Sequence, residues 1–207
     1  AVVFDLWNTL VHSPGGNPFK QAQAQLRPHQ HALFSDLIMD AMRRPHADAR
    51  TFLDGWRERL RLDSAQIEGM ATAFATAGEE ASLFPEALEA LARTRELGRI
   101  ALLSNTQTFD LDLLDSLGLR DQFRVLGLSA ELGFLKPDLG AFEAMQRKLA
   151  LFPGNLVMVG DSWSDDVQGA LEAGWTAIWV NRTGRPRPPH EPEAELVEVP
   201  DLAMVPD

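Results

Sequence analysis

Apolar residues in this chain recur with two different spacings. Short runs rich in Val, Ile, Leu and Ala have strand length at Ala1–Asp5, Arg99–Ser104, Phe123–Leu128, Asn155–Gly160 and Thr176–Val180. Glu86–Leu97, Leu111–Leu117, Leu139–Leu149 and Asp166–Ala173 instead repeat apolar positions at helical spacing, and Gly98, Gly118 and Gly174 stand where such helices stop. Strands that are apolar throughout and alternate with helices predict an α/β fold: a Rossmann-like parallel sheet with helices on its faces. A further edge strand is expected at Glu195–Val199, after an irregular Arg-, Pro- and Gly-rich stretch at Asn181–Pro192.

Residues 12–85 break the alternation. No strand is expected there, and Gln21–Arg44, His46–Leu62 and Ser64–Glu80 carry Ala, Leu, Arg and Gln at helical spacing, broken near Pro28 and Pro45. The loop Ser13-Pro14-Gly15-Gly16-Asn17-Pro18 leads in and Phe84-Pro85 closes the block. A helical insert directly after a strand-end carboxylate reads as an all-helical cap domain on a hinge; the alternative is extra helices packed on the sheet. The expected organisation is an α/β core of residues 1–11 and 86–207 with a cap of residues 12–85.

Composition narrows the chemistry. Cysteine is absent, which removes disulfides, thiolate metal sites and Cys nucleophiles and suits a cytoplasmic location. No apolar run approaches the roughly 20 residues needed to span a bilayer, and no basic-then-apolar leader is present, so no membrane partner is expected. The chain opens inside an apparent strand without Met, and a few preceding residues are expected. A net charge of −11 argues against nucleic acid as a partner, because that affinity comes from clustered Lys and Arg. It leaves room for a small anionic substrate held by a metal ion and one or two placed cations. The cations comprise 16 Arg against only Lys20, Lys136 and Lys148, so each Lys stands out against the habit of the chain.

The candidate chemistry lies at the strand ends, where open α/β sheets place their crevices. Asp5 ends the first strand, and Asp is also a common turn residue. Ser104-Asn105-Thr106 ends the second, offering hydroxyl and amide groups to an anion or caps to the next helix. Lys136 lies in the loop Gly133–Asp138 as a compact point charge or a solvated side chain. Asp161, Asp165 and Asp166 crowd into six residues after the fourth strand and would repel one another without a cation among them. Asp165 or Asp166 could equally serve a helix start.

Taken in order, Phe4-Asp5-Leu6-Trp7-Asn8-Thr9-Leu10-Val11-His12-Ser13, Ser104-Asn105, Lys136-Pro137 and Gly160-Asp161-Ser162 with Asp165-Asp166 and Gly169-Ala170 resemble the four motifs of the haloacid dehalogenase superfamily. The similarity runs from Phe4 to about Gly174, and the insert occupies the position of the helical cap between the first and second motifs. The resemblance implies a Mg²⁺-dependent hydrolase in which Asp5 attacks phosphorus and forms an aspartyl-phosphate. It implies Mg²⁺ held by Asp5, the backbone carbonyl of Trp7 and Asp161, with Asp165 or Asp166 completing or orienting the shell. Ser104 would bond the phosphoryl group, Lys136 would offset charge, and Thr9 would shape a turn whose N–H groups face the anion. Asn105 and His12 are the remaining substrate-binding candidates.

One departure from the family pattern matters. Many of its phosphatases carry a second Asp two positions after the nucleophile as general acid and base; here that position is Trp7. The next position, usually Gly, is Asn8, which tolerates the same backbone angles. Three readings follow: a phosphatase of small phosphorylated metabolites without that acid, a 2-haloacid dehalogenase or other non-phosphate hydrolase, and a binding protein with little turnover. Arg27, His29, His31, Arg43, Arg44, Trp56, Arg57 and Arg59 in the insert are candidates for substrate choice, most of them on solvated helix faces. Trp163 is expected to wall the site with Trp7 or to pack under its loop. Periodicity reveals no oligomer interface.

Overall fold

The computed structural model describes residues 1–109, 111–189 and 195–205 of the chain. Six strands form one parallel sheet in the order β5-β4-β1-β6-β7-β8: β1 Val2–Phe4, β4 Ile100–Ser104, β5 Leu126–Leu128, β6 Val157–Gly160, β7 Thr176–Val180 and β8 Leu196–Val199. Every strand expected from the apolar runs is present, Thr176–Val180 with the expected bounds and the others shortened. From β1 the chain steps outward to β4 and β5, then crosses to β6 on the other flank of β1 and continues to β7 and β8. That reversal beside β1 is the topological switch point, where parallel sheets open a crevice at the carboxyl ends of their strands.

Side chains alternate across the sheet with period two, so each strand feeds two apolar layers. Phe4, Leu102, Val159 and Ile178 pack with α5 (Ala87–Leu97) through Ala87, Ala90 and Leu91. Val3, Ala101, Leu103, Met158 and Trp179 pack with α8 (Leu139–Leu149) through Ala141, Phe142 and Met145. Burial on both faces explains why the strands read as continuous apolar runs. Trp175 and Trp179 belong to the second layer, and Trp163 meets Trp179 edge-on with ring centroids 5.0 Å apart, so Trp163 packs beneath its loop. Two expected helices come out shorter: α6 spans Asp112–Ser116, and α9 covers only Gly169–Glu172 after a π-helical turn at Trp163–Gln168. Parts of the stretch expected to be irregular, residues 190–192, lie outside the described residues.

The insert is helical, as its spacing predicts: α1 Pro18–Ala24, α2 Phe34–Arg43, α3 Ala49–Leu60 and α4 Ser64–Glu79. Asn17, Asp48 and Asp63 cap the starts of α1, α3 and α4 by accepting bonds from free N–H groups. Leu37, Leu53, Ile67, Met70 and Phe74 form an apolar cluster separate from both sheet layers. Phe109, from the loop after β4, packs against Phe52 and Phe74 of that cluster and ties the sheet to the insert. The expectation of no strand in this region needs correction. Val11–His12 (β2) and Ser82–Leu83 (β3) pair antiparallel, so the chain leaves and re-enters the sheet region through adjacent strands. Two residues are too few for a periodicity to show. Among the described residues, no helix is long and apolar enough to cross a membrane.

Candidate active site

The register that aligns Phe4 with Leu102 and Val159 brings the tips of β1, β4 and β6 side by side. Asp5 follows β1, and its N–H donates to the Val159 carbonyl at 2.9 Å. Ser104 ends β4 and Asp161 follows β6. The carboxylates of Asp5, Asp161 and Asp166 each place an oxygen within 4.8 Å of the others. Lys136 Nζ donates to Asp5 Oδ1 at 2.7 Å and to Asp166 Oδ1 at 2.5 Å, with all three residues buried.

Local hydrogen bonding determines which acid joins this group. Ser162 Oγ accepts from the Asp165 N–H at 3.2 Å, starting the π-helical turn, and the Ser162 N–H donates to Asp166 Oδ2 at 2.9 Å. Asp166 therefore points back to the strand end. A Cβ on Gly160 would collide with its carboxylate, so only glycine fits there. Asp165 lies outside the group and accepts from Ser164 Oγ at 3.1 Å.

Asn105 does not face the carboxylates as a free donor. Its Nδ2 donates to the Lys136 carbonyl and its Oδ1 accepts from the Lys136 N–H, both at 2.8 Å. The Lys136 backbone lies outside any ladder and needs such partners. Asn105 thereby ties the β4 tip to the loop that carries the ammonium. Thr9 and Ser104 are fully buried, and neither hydroxyl has a partner among the described residues. A buried hydroxyl left unpaired costs about 1–3 kcal/mol, so a partner for either one would be stabilising. His12 sits on β2, where Nε2 meets Ser82 Oγ at 3.1 Å and the ring packs on Phe84. It belongs to the paired strands at the neck of the insert.

The turn after Asp5 closes with the Asn8 N–H donating to the Val11 carbonyl at 2.6 Å, and Asn8 takes φ +60°. Arg182, two residues past β7, reaches across to it. Its Nη2 donates to the Thr9 carbonyl at 3.0 Å, its guanidinium lies over Phe84, and it pairs with Glu86 at 2.7 Å. Arg185 donates to the Asp161 carbonyl at 3.0 Å, and Asn181 brackets the Arg185 backbone at both N–H and carbonyl. Ser129 holds the Thr106 backbone at both ends, and Thr106 Oγ1 accepts from Trp7 Nε1 at 3.3 Å. Sequence reasoning missed Arg182, Arg185, Asn181 and Ser129. The only signal in the chain was an Asn directly after an apolar strand.

The electrostatics are those of crowded, desolvated acids. Burial pushes the Asp5 and Asp166 carboxyls up against the pull of Lys136, and the like charges of Asp161 and Asp5 add to the respective shifts. Asp161 is pushed up to about 6 by burial and by the Asp166 charge. Burial opposes the Lys136 ammonium, but Asp166 and Asp5 outweigh it and hold it protonated above its usual range. Three carboxylates against one ammonium leave an excess of two negative charges. An oxygen-only donor set with that excess fits a hard divalent cation, whose charge would favour the ionised form of the raised acids.

Against the turn that follows Asp5, a cavity of about 240 Å³ opens between the sheet and the insert. Trp7, Asn8, Asn105 and Gln107 line its sheet side, and Ser13, Asn17, Phe19, Met42 and Ala77 line its insert side. The cationic candidates of the insert do not reach it. Arg27, Arg44, Arg57 and Arg59 pair with Asp63, Asp40, Asp54 and Asp36, and the buried Trp56 donates to Asp40. Lys20 and His31 line a different depression.

The family model of haloacid dehalogenase-like hydrolases matches residues 1–174. The chain belongs to this family. Within it, the chain is similar to the phosphoserine phosphatase of Thermus thermophilus, at 36% identity over 159 residues, 72% of this chain and 61% of that protein. It is 31% identical over 198 residues to the ribulose-1,5-bisphosphate 5-phosphatase of Halopiger xanaduensis, covering 86% of this chain and 83% of that one. The chain thus spans about three fifths of the Thermus relative's length. A 2-haloacid dehalogenase structure from Pseudomonas syringae pv. Tomato DC3000 superposes with a TM-score of 0.69 at 23% identity, over 98% of this chain and 94% of that one. At that identity it shows that this haloacid dehalogenase-like hydrolase shares the fold. Both phosphatases and dehalogenases stand among its neighbours.

Proposed function

We propose that this chain is a Mg²⁺-dependent phosphatase of small phosphorylated metabolites, with Asp5 as nucleophile. The observation that carries the reading is the clustering of Asp5, Asp161 and Asp166, two of them buried and paired with Lys136, three acids whose net charge calls for a divalent cation. Those three carboxylates and the Trp7 backbone carbonyl would hold the ion, Asp166 in preference to Asp165. Bound there, Mg²⁺ would neutralise charge on the phosphoryl oxygens.

The residues of the chain perform the rest. An Asp5 oxygen forms a bond to phosphorus while the bond to the leaving oxygen breaks, and the electron pair departs on that oxygen. Water then attacks phosphorus and the Asp5 carboxylate is released, yielding inorganic phosphate. Lys136 holds Asp5 at 2.7 Å and offsets the charge that gathers as the phosphate approaches. Ser104 donates its otherwise unpaired hydroxyl to the phosphoryl group, and the turn through Thr9 presents N–H groups to it. Residues 12–85 act as a cap that closes over the crevice on the β2–β3 neck, keeping water from the nucleophile.

Acetyl phosphate and p-nitrophenyl phosphate test this reading, since neither leaving group needs a proton donor. Phosphate release should require Mg²⁺, stop with a chelator, and fall to background in Asp5→Asn. Release that survives both the chelator and Asp5→Asn would refute it. Chelator-insensitive halide release from a 2-haloacid would replace it with dehalogenation, which also needs no acid.

A further inference from the structure

Phosphate monoesters differ in how well their leaving oxygen departs unprotonated, and the cavity beside Asp5 speaks to that choice. Its lining includes the rings of Trp7 and Phe19, the thioether of Met42, Ala77, Pro18, and the neutral polar groups of Asn8, Ser13, Asn17, Asn105 and Gln107. Among the described residues that line it there is no Asp, Glu, His, Lys or Arg. Two consequences follow. Nothing there can pair with a charged substituent on the substrate, and burying an unpaired charge is costly. Nothing there can hand a proton to the departing oxygen, a service worth about 10²–10⁴-fold in rate.

The Trp7 ring is fixed. Its Nε1 donates to Thr106 Oγ1 at 3.3 Å, and Thr106 is held by Ser129 at both backbone groups. Phe19 is braced opposite by an edge-on contact with Phe74 at 5.2 Å. Ser13 Oγ is buried without a partner among the described residues and can take one hydrogen bond from or to the ligand. The cavity holds about 240 Å³. An apolar cavity of about 150 Å³ accepts one benzene, so there is room for a single ring with a few substituent atoms.

From these observations, and resting on the phosphatase reading above, we infer that the substrates are aryl phosphates: uncharged single rings whose phenolic oxygen carries the phosphoryl group. A phenol ionises near pH 10, like tyrosine, whereas an aliphatic alcohol is a far weaker acid, nearer to bulk water, so an aryloxide can leave without the missing acid. In the first step the Asp5–phosphorus bond forms, the phosphorus–aryloxide bond breaks, and the aryloxide takes its proton from solvent.

The experiment compares kcat/KM at saturating Mg²⁺ for phenyl, benzyl, cyclohexyl and seryl phosphates, with acetyl phosphate as the reference. Phenyl phosphate should exceed benzyl and cyclohexyl phosphate, which match its bulk but leave as alkoxides, by at least about 100-fold. Phosphoserine, charged in its leaving group, should be poorest. Across substituted phenyl phosphates, kcat should rise steeply as the phenol becomes more acidic. Trp7→Asp should narrow the phenyl-to-benzyl ratio at least tenfold by supplying a proton. If that variant does not fold, the slope on the unaltered protein decides. Equal rates for benzyl and phenyl phosphate, or efficient phosphoserine hydrolysis, alongside acetyl phosphate turnover would overturn the substrate class and leave the phosphatase reading standing. Silence toward acetyl phosphate as well would overturn both.

Discussion

Lys136 lies 2.7 Å from Asp5 and 2.5 Å from Asp166, and so pairs with two of the three clustered acids. Burial, with the charge of Asp166 added to it, makes Asp161 behave unlike an exposed Asp. Its pKa rises from 3.8 to about 6 through burial and the charge of Asp166. The metal-free folded state therefore holds a proton that the unfolded chain has lost between those values, so this group lowers stability as pH rises through the window. In the presence of chelator, Asp161→Asn should gain thermal stability relative to the parent as pH goes from 4 to 7, and the difference should level off above. Denaturation curves across that range check it; a difference that does not grow with pH would mean that Asp161 is not strained by its neighbours. The position of Asp161 was legible in the chain, because an acid directly after an apolar run marks a strand tip. The choice of Asp166 over Asp165 was not. It depends on a π-helical turn and a Ser162 N–H bond, which leave no trace in spacing.

The loop after β7 acts as a strut between elements that are distant in sequence. Arg182 joins the Asn8–Thr9 turn, Phe84 and Glu86, and so connects the turn after Asp5 to the exit of the insert. Arg182→Ala removes an ion pair, a cation–π contact and a donor to the Thr9 carbonyl. Truncation of such partly buried groups costs about 1–3 kcal/mol. The expected outcome is a lower urea midpoint and a lower kcat on acetyl phosphate with Mg²⁺ dependence retained, whereas Arg182→Lys should restore the ion pair and only part of kcat. An unchanged midpoint would show that the turn holds its shape without the strut. Composition marked this loop as irregular, since Arg, Pro and Gly carry no periodicity. Its order comes from Asn181 bracketing Arg185, a pairing that exists only once β7 has placed Asn181 at the sheet edge. The long helices of the insert were legible because one buried face imposes a period, and the inner strands because burial on both faces makes them continuous apolar runs. The β2–β3 neck was too short to carry one.

The whole molecule divides its apolar interior into two sheet layers and a third cluster within the insert, joined to the sheet through Phe109. All three clustered carboxylates come from the sheet side, whereas the cavity wall is shared. Metal binding and substrate binding should therefore stabilise different parts of the protein. Mg²⁺ at 100 times its dissociation constant adds about 2.7 kcal/mol by mass action, and about 2–4 °C per kcal/mol is usual for a chain of this size, so a rise in Tm of about 5–10 °C is expected. Hydrogen exchange locates the effect. Amides of β1, β6 and the Ser162 turn should gain protection on Mg²⁺ addition, while those of α2 and α3, whose cluster contains none of the three acids, should keep their rates. An aryl phosphate analogue added to the Mg²⁺-loaded protein should then slow exchange in α1 and near Met42, where the cavity wall belongs to the insert. Protection of α2 and α3 by Mg²⁺ alone, equal to that of β1, would mean that sheet and insert open as one unit. The β2–β3 neck would then carry no hinge, and closure of the insert over the crevice would have to be abandoned.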